Sequence, residues 1–156
     1  MKVILYANDD GWVSVVTPCY PADITQEQEA EILAWVRQKD VPPLPDGSPR
    51  PSFIREPQDV ADMDYFFAAW RLDASGRLTW NKAAADAMKR DQFRALRKPR
   101  LEALDVDFMR ALERGDTASL AEIAAQKQAL RDVTSTDLSL YTSPKSLYEY
   151  LPETLQ

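Results

Sequence analysis

Residues 90–133 read RDQFRALRKPRLEALDVDFMRALERGDTASLAEIAAQKQALRDV, and their periodicity decides the fold of the C-terminal half. Leu101, Leu104, Phe108 and Ala111 with Leu112 recur at helical spacing and place one apolar stripe along a helix, while Glu102, Asp105, Arg110 and Glu113 fall off it. At Glu113-Arg114-Gly115 the helix stops, because Gly115 can take the left-handed terminal conformation and Asp116 or Thr117 can cap a second helix. On that second helix Leu120, Ile123 with Ala124, Lys127 and Leu130 share a face, so the two helices can lie antiparallel as a hairpin. Pro99 interrupts the pattern. A proline inside a helix costs roughly 3 kcal/mol, so the run from Lys82 to Leu96 is expected to kink or break near Arg97 and Lys98.

Three segments of this stretch carry a resemblance. RALRKPRLEALD at 94–105, FMRALERGD at 108–116 and KQALRDV at 127–133 resemble the C-terminal region of small phage and prophage tail proteins of the tail-fibre assembly (chaperone) group. The likeness covers less than half of the chain. It implies a helical hairpin, a non-enzymatic role, and a tail fibre or receptor-binding protein as partner. The setting it implies is the host cytoplasm during assembly, or the virion tail if the chain is instead a retained structural tail-fibre or baseplate-associated subunit. Members of that group commonly continue into a proline-rich tail with a tryptophan. Here the continuation, TSPKSLYEYLPETL at 142–155, carries tyrosines instead, a departure that bears on the chaperone reading more than on the phage-tail one.

Working outward, the rest of the chain reads as α+β: a small antiparallel sheet with one helix, followed by a helical arm ending in the hairpin. Lys2–Tyr6 and Trp12–Val16 are short β-rich runs separated by Ala-Asn-Asp-Asp-Gly, which suits a β-hairpin. Thr25 with Gln28 three residues on forms a capping box for a helix from about Gln26 to Lys39, with Ile32, Trp35 and Val36 on its apolar face. Six of the 11 prolines fall between Val41 and Pro57, marking an extended connector with a brief strand at Ser52 to Arg55. Between Tyr65 and Trp80 two aromatic-rich strands flank Asp73-Ala-Ser-Gly76, and Asn81 is a good N-cap for the arm. Ser143 and Pro144 open a short final helix through Leu147 to Tyr150. The modules so defined are 1–80, 81–133 and 134–156.

Charge and composition narrow the chemistry. The chain has 156 residues, 45% of them hydrophobic, enough for a modest core, and its net charge of -6 lies wholly in the first half. Residues 1–80 hold 7 basic against 13 acidic side chains, and residues 81–156 hold 12 of each (7 − 13 = −6; 12 − 12 = 0). An acidic chain with pI near 4.7 is a poor nucleic-acid binder, since phosphate neutralisation needs a basic face. No secretory or long apolar run is present, so no membrane association is expected. With no histidine and one cysteine, zinc sites, Cys-His nucleophiles and Ser-His-Asp triads are excluded within one chain, and neither metal nor cofactor is expected. Cys19, at a strand end, reads as a partly buried thiol or as the donor of an intermolecular disulfide.

Four constellations have two readings each. Asn8-Asp9-Asp10-Gly11 suits a hairpin turn better than a cation loop, which would need later ligands that are missing. Asp62 and Asp64 read as solvated residues beside a strand rather than as an acid/base couple. Lys89, Arg90, Arg94, Arg97, Lys98 and Arg100 put six positive charges in twelve residues, a basic stripe suited to an acidic protein surface, the chain's own N-terminal half or a partner, more than to DNA. Among the aromatics, most of the first half belongs in a core, while Trp12, Trp80, Tyr148 and Tyr150 are the candidates for partner contact. Leu101, Leu104, Phe108 and Leu112 join them, either closing the hairpin or meeting a partner helix, and self-association is a further possibility.

Overall fold

The computed structural model describes residues 1–156 and divides into two compact units, Met1–Ala85 and Asp86–Gln156. The boundary falls inside a helix, and the C-terminal tail groups with the helices of the second unit.

In the first unit, β1 (Val3–Ala7) is the central strand of a sheet ordered β2-β1-β3, with β2 (Val13–Val16) and β3 (Ser52–Arg55) both antiparallel to it. The turn between β1 and β2 is closed by Asn8, whose carboxamide oxygen accepts from Trp12 N at 2.9 Å, and by Gly11 at φ +78°. β1 reads as an unbroken apolar run because both faces are covered. Val3 and Leu5 with Val13 point to a cluster containing Met63 and Trp70, flanked by Val15, Val60, Leu72, Leu78 and Trp80. Ile4 points the other way, onto Leu33 and Val36 of α1 (Gln26–Asp40). The capping box at Thr25 and Gln28 is formed, at 3.2 and 3.0 Å. The apolar face of α1 is Ile32, Leu33 and Val36, however, and not Trp35. Trp35 is 60% exposed with the Lys39 ammonium 4.7 Å from its ring centroid, because one residue of helix rotation carries it past the sheet.

β4 (Trp70–Leu72) and β5 (Leu78–Trp80) form a separate two-stranded hairpin, with Trp70 opposite Trp80. It is shorter than the alternation from Tyr65 suggests. Phe66 takes a left-handed conformation at φ +54°, and Phe67–Ala69 form a 3-10 turn, so extended structure begins only at Trp70, whose indole N–H is held by the Tyr65 carbonyl at 3.0 Å. Asp62 and Asp64 likewise sit, exposed, on either side of buried Met63 in a 3-10 turn, Ala61–Asp64, instead of beside a strand.

The proline-rich connector is ordered around one side chain. Arg50 is buried, and its guanidinium donates to the carbonyls of Ala7 (2.7 Å), Pro42 (3.0 Å) and Pro43 (3.1 Å) and to the Asp9 carboxylate (2.5 Å). Proline removes backbone donors, so a planar five-donor group is well matched to a segment rich in unpaired carbonyls.

α2 (Lys82–Arg114) is one continuous helix and Pro99 lies within it, so the break considered from the sequence does not occur. Asn81 caps it, accepting from Ala84 N at 3.1 Å. Its end is a Schellman motif: Gly115, at φ +68°, donates to the Leu112 carbonyl and Asp116 N to the Ala111 carbonyl, both at 3.0 Å. Asp116, not Thr117, then caps α3 (Thr117–Asp132) through Ser119 N at 3.1 Å. Ser119, in turn, depresses the Asp116 pKa below its ordinary value by hydrogen bonding to the carboxylate. The helices run antiparallel, as the contacts of Arg97 with the Arg131 carbonyl and of Asp105 with Lys127 require. α4 (Pro144–Glu149) opens on the Ser143 capping box.

Candidate partner-binding surfaces

The side chains singled out for partner contact separate into those that build the units and those left uncovered. Leu101, Leu104 and Phe108 are half-buried and Ala111 fully buried, so this part of the stripe closes the hairpin. The Lys127 ammonium lies 5.1 Å from the Phe108 ring centroid and pairs with Asp105 across the same interface. Leu112, close to the turn, escapes it and is about half exposed. Trp80 is half-buried against the sheet core opposite Trp70 and belongs with the packing residues. Trp12 stands at the exposed end of the first hairpin. Cys19 is exposed, not partly buried; it is the neighbouring Pro18 that is buried. Tyr20 turns back so that its hydroxyl donates to the Lys2 carbonyl at 2.7 Å, and burial pushes its pKa up.

Tyr148 lies against a buried lysine, Lys89, and Tyr150 against the neighbouring Phe93. Tyr150 stacks on Tyr141 with ring centroids 4.3 Å apart and meets Phe93 edge-on at 6.1 Å. Lys89 is only 4% exposed; its ammonium donates to the Tyr148 carbonyl at 2.7 Å and lies 5.5 and 5.7 Å from the Phe93 and Tyr148 rings. Desolvation lowers its pKa. Tyr150 therefore fastens the tail onto α2, whereas Tyr148 is half exposed.

The basic stripe has a destination in its own unit. Arg97 donates to the carbonyl of Arg131 at 2.8 Å, at the end of α3. Arg100 donates to the carbonyls of Thr154 (2.7 Å), Leu155 (3.0 Å) and Gln156 (3.1 Å). Arg94 pairs with Asp91 one turn earlier. Three of the six positive charges, counting Lys89, are thus aimed at backbone carbonyls rather than at an acidic surface.

Sequence reasoning missed the outer face of α2. Leu96, Val106 and Met109 are about half exposed, and Pro99 and Ala103 between them are exposed as well. Ala103 also enters a groove of about 430 Å³ with Leu104, Gln126, Ala129 and Leu130, walled by Arg100 and Thr154. Spacing alone contained the signal: Gln92, Leu96, Pro99, Ala103, Val106 and Arg110 alternate steps of four and three. In the first unit Trp35 and Phe67 add to Trp12 as uncovered aromatics. No helix is long and apolar enough to cross a membrane.

No protein-family model, curated protein or solved structure matches this chain.

Proposed function

We propose that the chain is a non-enzymatic protein-binding component of phage tail assembly that binds a tail fibre or receptor-binding protein. The observation that carries the reading is the number of large apolar side chains left uncovered: Trp12, Trp35 and Phe67 on the first unit, and Leu112 near the turn of the hairpin on which the likeness to tail-fibre assembly proteins rests. Aromatic side chains of this kind are enriched where binding energy concentrates, and their exposure has a solubility cost that a partner removes. As an assembly chaperone, the chain would cover apolar fibre surface until trimerisation or attachment is complete. The second reading, a structural tail-fibre or baseplate-associated subunit, is favoured by exposed Cys19, which is free to form a covalent link within an assembled particle.

Release separates the two. The chain is co-expressed with a candidate phage tail-fibre protein, captured by affinity pull-down, and purified particles are searched for it by mass analysis. Co-purification without retention in particles supports the chaperone, and retention at fixed stoichiometry supports the subunit. Absence of any complex removes both.

A further inference from the structure

We propose that the outer face of α2 pairs two copies of this chain, antiparallel about a two-fold axis at the level of Arg100 and Leu101. The apolar seam is Leu96, Pro99, Ala103 and Val106, with Met109 beside it; Leu96, Val106 and Met109 are 46%, 50% and 54% exposed. Alternating steps of four and three keep such a seam on one side of a helix over its whole length. Under the two-fold, Leu96 of one copy meets Val106 of the other, and Pro99 meets Ala103. The small residues therefore fall at the centre, where the helices approach most closely, and the larger ones close each end. Gln92 and Arg110 terminate the seam on either side, so a shift by one heptad would bury a polar or charged side chain. The apolar stretch from Leu96 to Met109 is about 20 Å long, a span suited to pairing with another helix.

Charge selects the partner and its direction. Within residues 86–100 there are six basic and two acidic side chains, and within 101–114 four acidic and two basic. A parallel copy would set like against like; an antiparallel copy sets the basic half against the acidic half. Lys98 and Glu102 stand on the flank of the seam on opposite sides of its centre, both exposed, and neither has an ion-pair partner in its own chain. In the pair, Lys98 of each copy faces Glu102 of the other, giving two equivalent contacts. This is the self-complementarity an isologous interface requires.

The full chain in reducing buffer is examined by sedimentation velocity and light scattering across a concentration series. The wild type is expected to dimerise, and Val106→Arg to be monomeric with an unchanged far-ultraviolet spectrum and, at concentrations too low for the wild type to associate, an unchanged melting temperature. Lys98→Glu alone and Glu102→Lys alone should each dimerise about tenfold more weakly, since each gathers like charges at the axis. An equimolar mixture of the two, and the double variant Lys98→Glu/Glu102→Lys, should both recover the wild-type dimer. Because each single variant is recovered by its counterpart, misfolding cannot imitate that result. A wild type that stays monomeric, a dimer that vanishes on reduction and so depends on Cys19, or single variants as tight as the wild type would overturn the proposal. The readout needs no fibre protein, so it stands or falls apart from the proposed function.

Discussion

Gly76 should be among the least replaceable residues of the first unit. It sits at φ +75° in the loop between β4 and β5, and a Cβ built there would lie 2.1 Å from Cδ1, 2.2 Å from Cγ and 2.6 Å from Cε1 of Phe53. Two costs therefore add in Gly76→Ala. The left-handed backbone costs an L-residue about 1–2 kcal/mol, and displacing a ring from β3, where Phe53 is registered opposite Leu5, adds about 1–3 kcal/mol of overpacking. The Gly76 carbonyl also accepts from Arg55 at 2.6 Å, so the loop cannot swing away without losing that bond. A total near 2–5 kcal/mol is a large part of a small unit's stability. Gly47 provides the control: its φ is +82°, but nothing lies within 4 Å of its would-be Cβ, so Gly47→Ala should cost only the backbone term. All four tryptophans belong to the first unit, and urea titrations followed by their fluorescence report that unit alone. Phe53→Leu placed on Gly76→Ala should recover part of the loss through a coupling that a double-mutant cycle measures. Equal destabilisation by Gly76→Ala and Gly47→Ala, with no coupling to Phe53, would refute the reasoning.

Other perturbations probe the buried cations and the caps. Arg50→Lys cannot reproduce four contacts to one planar fork, and losing carbonyl partners in the connector should lower the stability of the first unit by about 1–3 kcal/mol in the same titration. Lys89 has its pKa lowered by desolvation, so between its folded value and the ordinary 10.5 the unfolded chain holds more protons, and stability should rise with pH as that window is crossed. Lys89→Met should flatten this slope in melts at pH values just below the ordinary 10.5; above the ordinary 10.0 the raised pKa of Tyr141 acts in the opposite sense. Asp46, Asp73 and Asp116 have pKa values below the ordinary 3.8, held down first by hydrogen bonds from Ser48, Ser75 and Ser119. Their stabilisation is complete above 3.8 and is lost as pH falls through the lower folded values; Asp116→Asn, which keeps an acceptor, should reduce the acid sensitivity of helicity. An acid titration with no difference between that variant and the wild type would show that the cap charge has no part in it.

Local signals carried most of the fold. The capping boxes at Thr25 and Ser143, the glycine at 115 and the alternation around Asn8-Asp9-Asp10-Gly11 each involve residues within a few positions of one another, and such interactions can be read from spacing. The features that spacing does not show are non-local. Trp35 matches a helical apolar face as well as Leu33 does, and only the position of the sheet decides which is covered. Trp80 and Trp12 look alike as strand tryptophans, yet one is packed against the Val3 and Leu5 cluster and the other is exposed at a turn. The Pro99 region is a third such case, since intrinsic propensity gives the local cost and omits what is anchored on either side.

Those anchors explain why a dense basic run that suggests an acidic partner in the sequence is, in the fold, used largely inside its own unit. Charge is visible in a sequence, whereas the last carbonyls of a helix, which carry partial negative charge and lack donors, belong to every residue type and leave no mark. Arg97 and Arg100 find such carbonyls, one set at the end of α3 and one in the terminal turn, and they bracket Pro99. A helix fastened on both sides of a proline to separate parts of its own unit is held to a single path, and the missing backbone bond is offset by charge-assisted bonds made elsewhere. The same fastening leaves Pro99 on the outer face, beside Lys98 and Glu102, neither of which has an ion-pair partner within the chain. Arg97 and Arg100 are thus used inside the unit, whereas Lys98, between them in sequence, stays exposed and is left to the pairing proposed above.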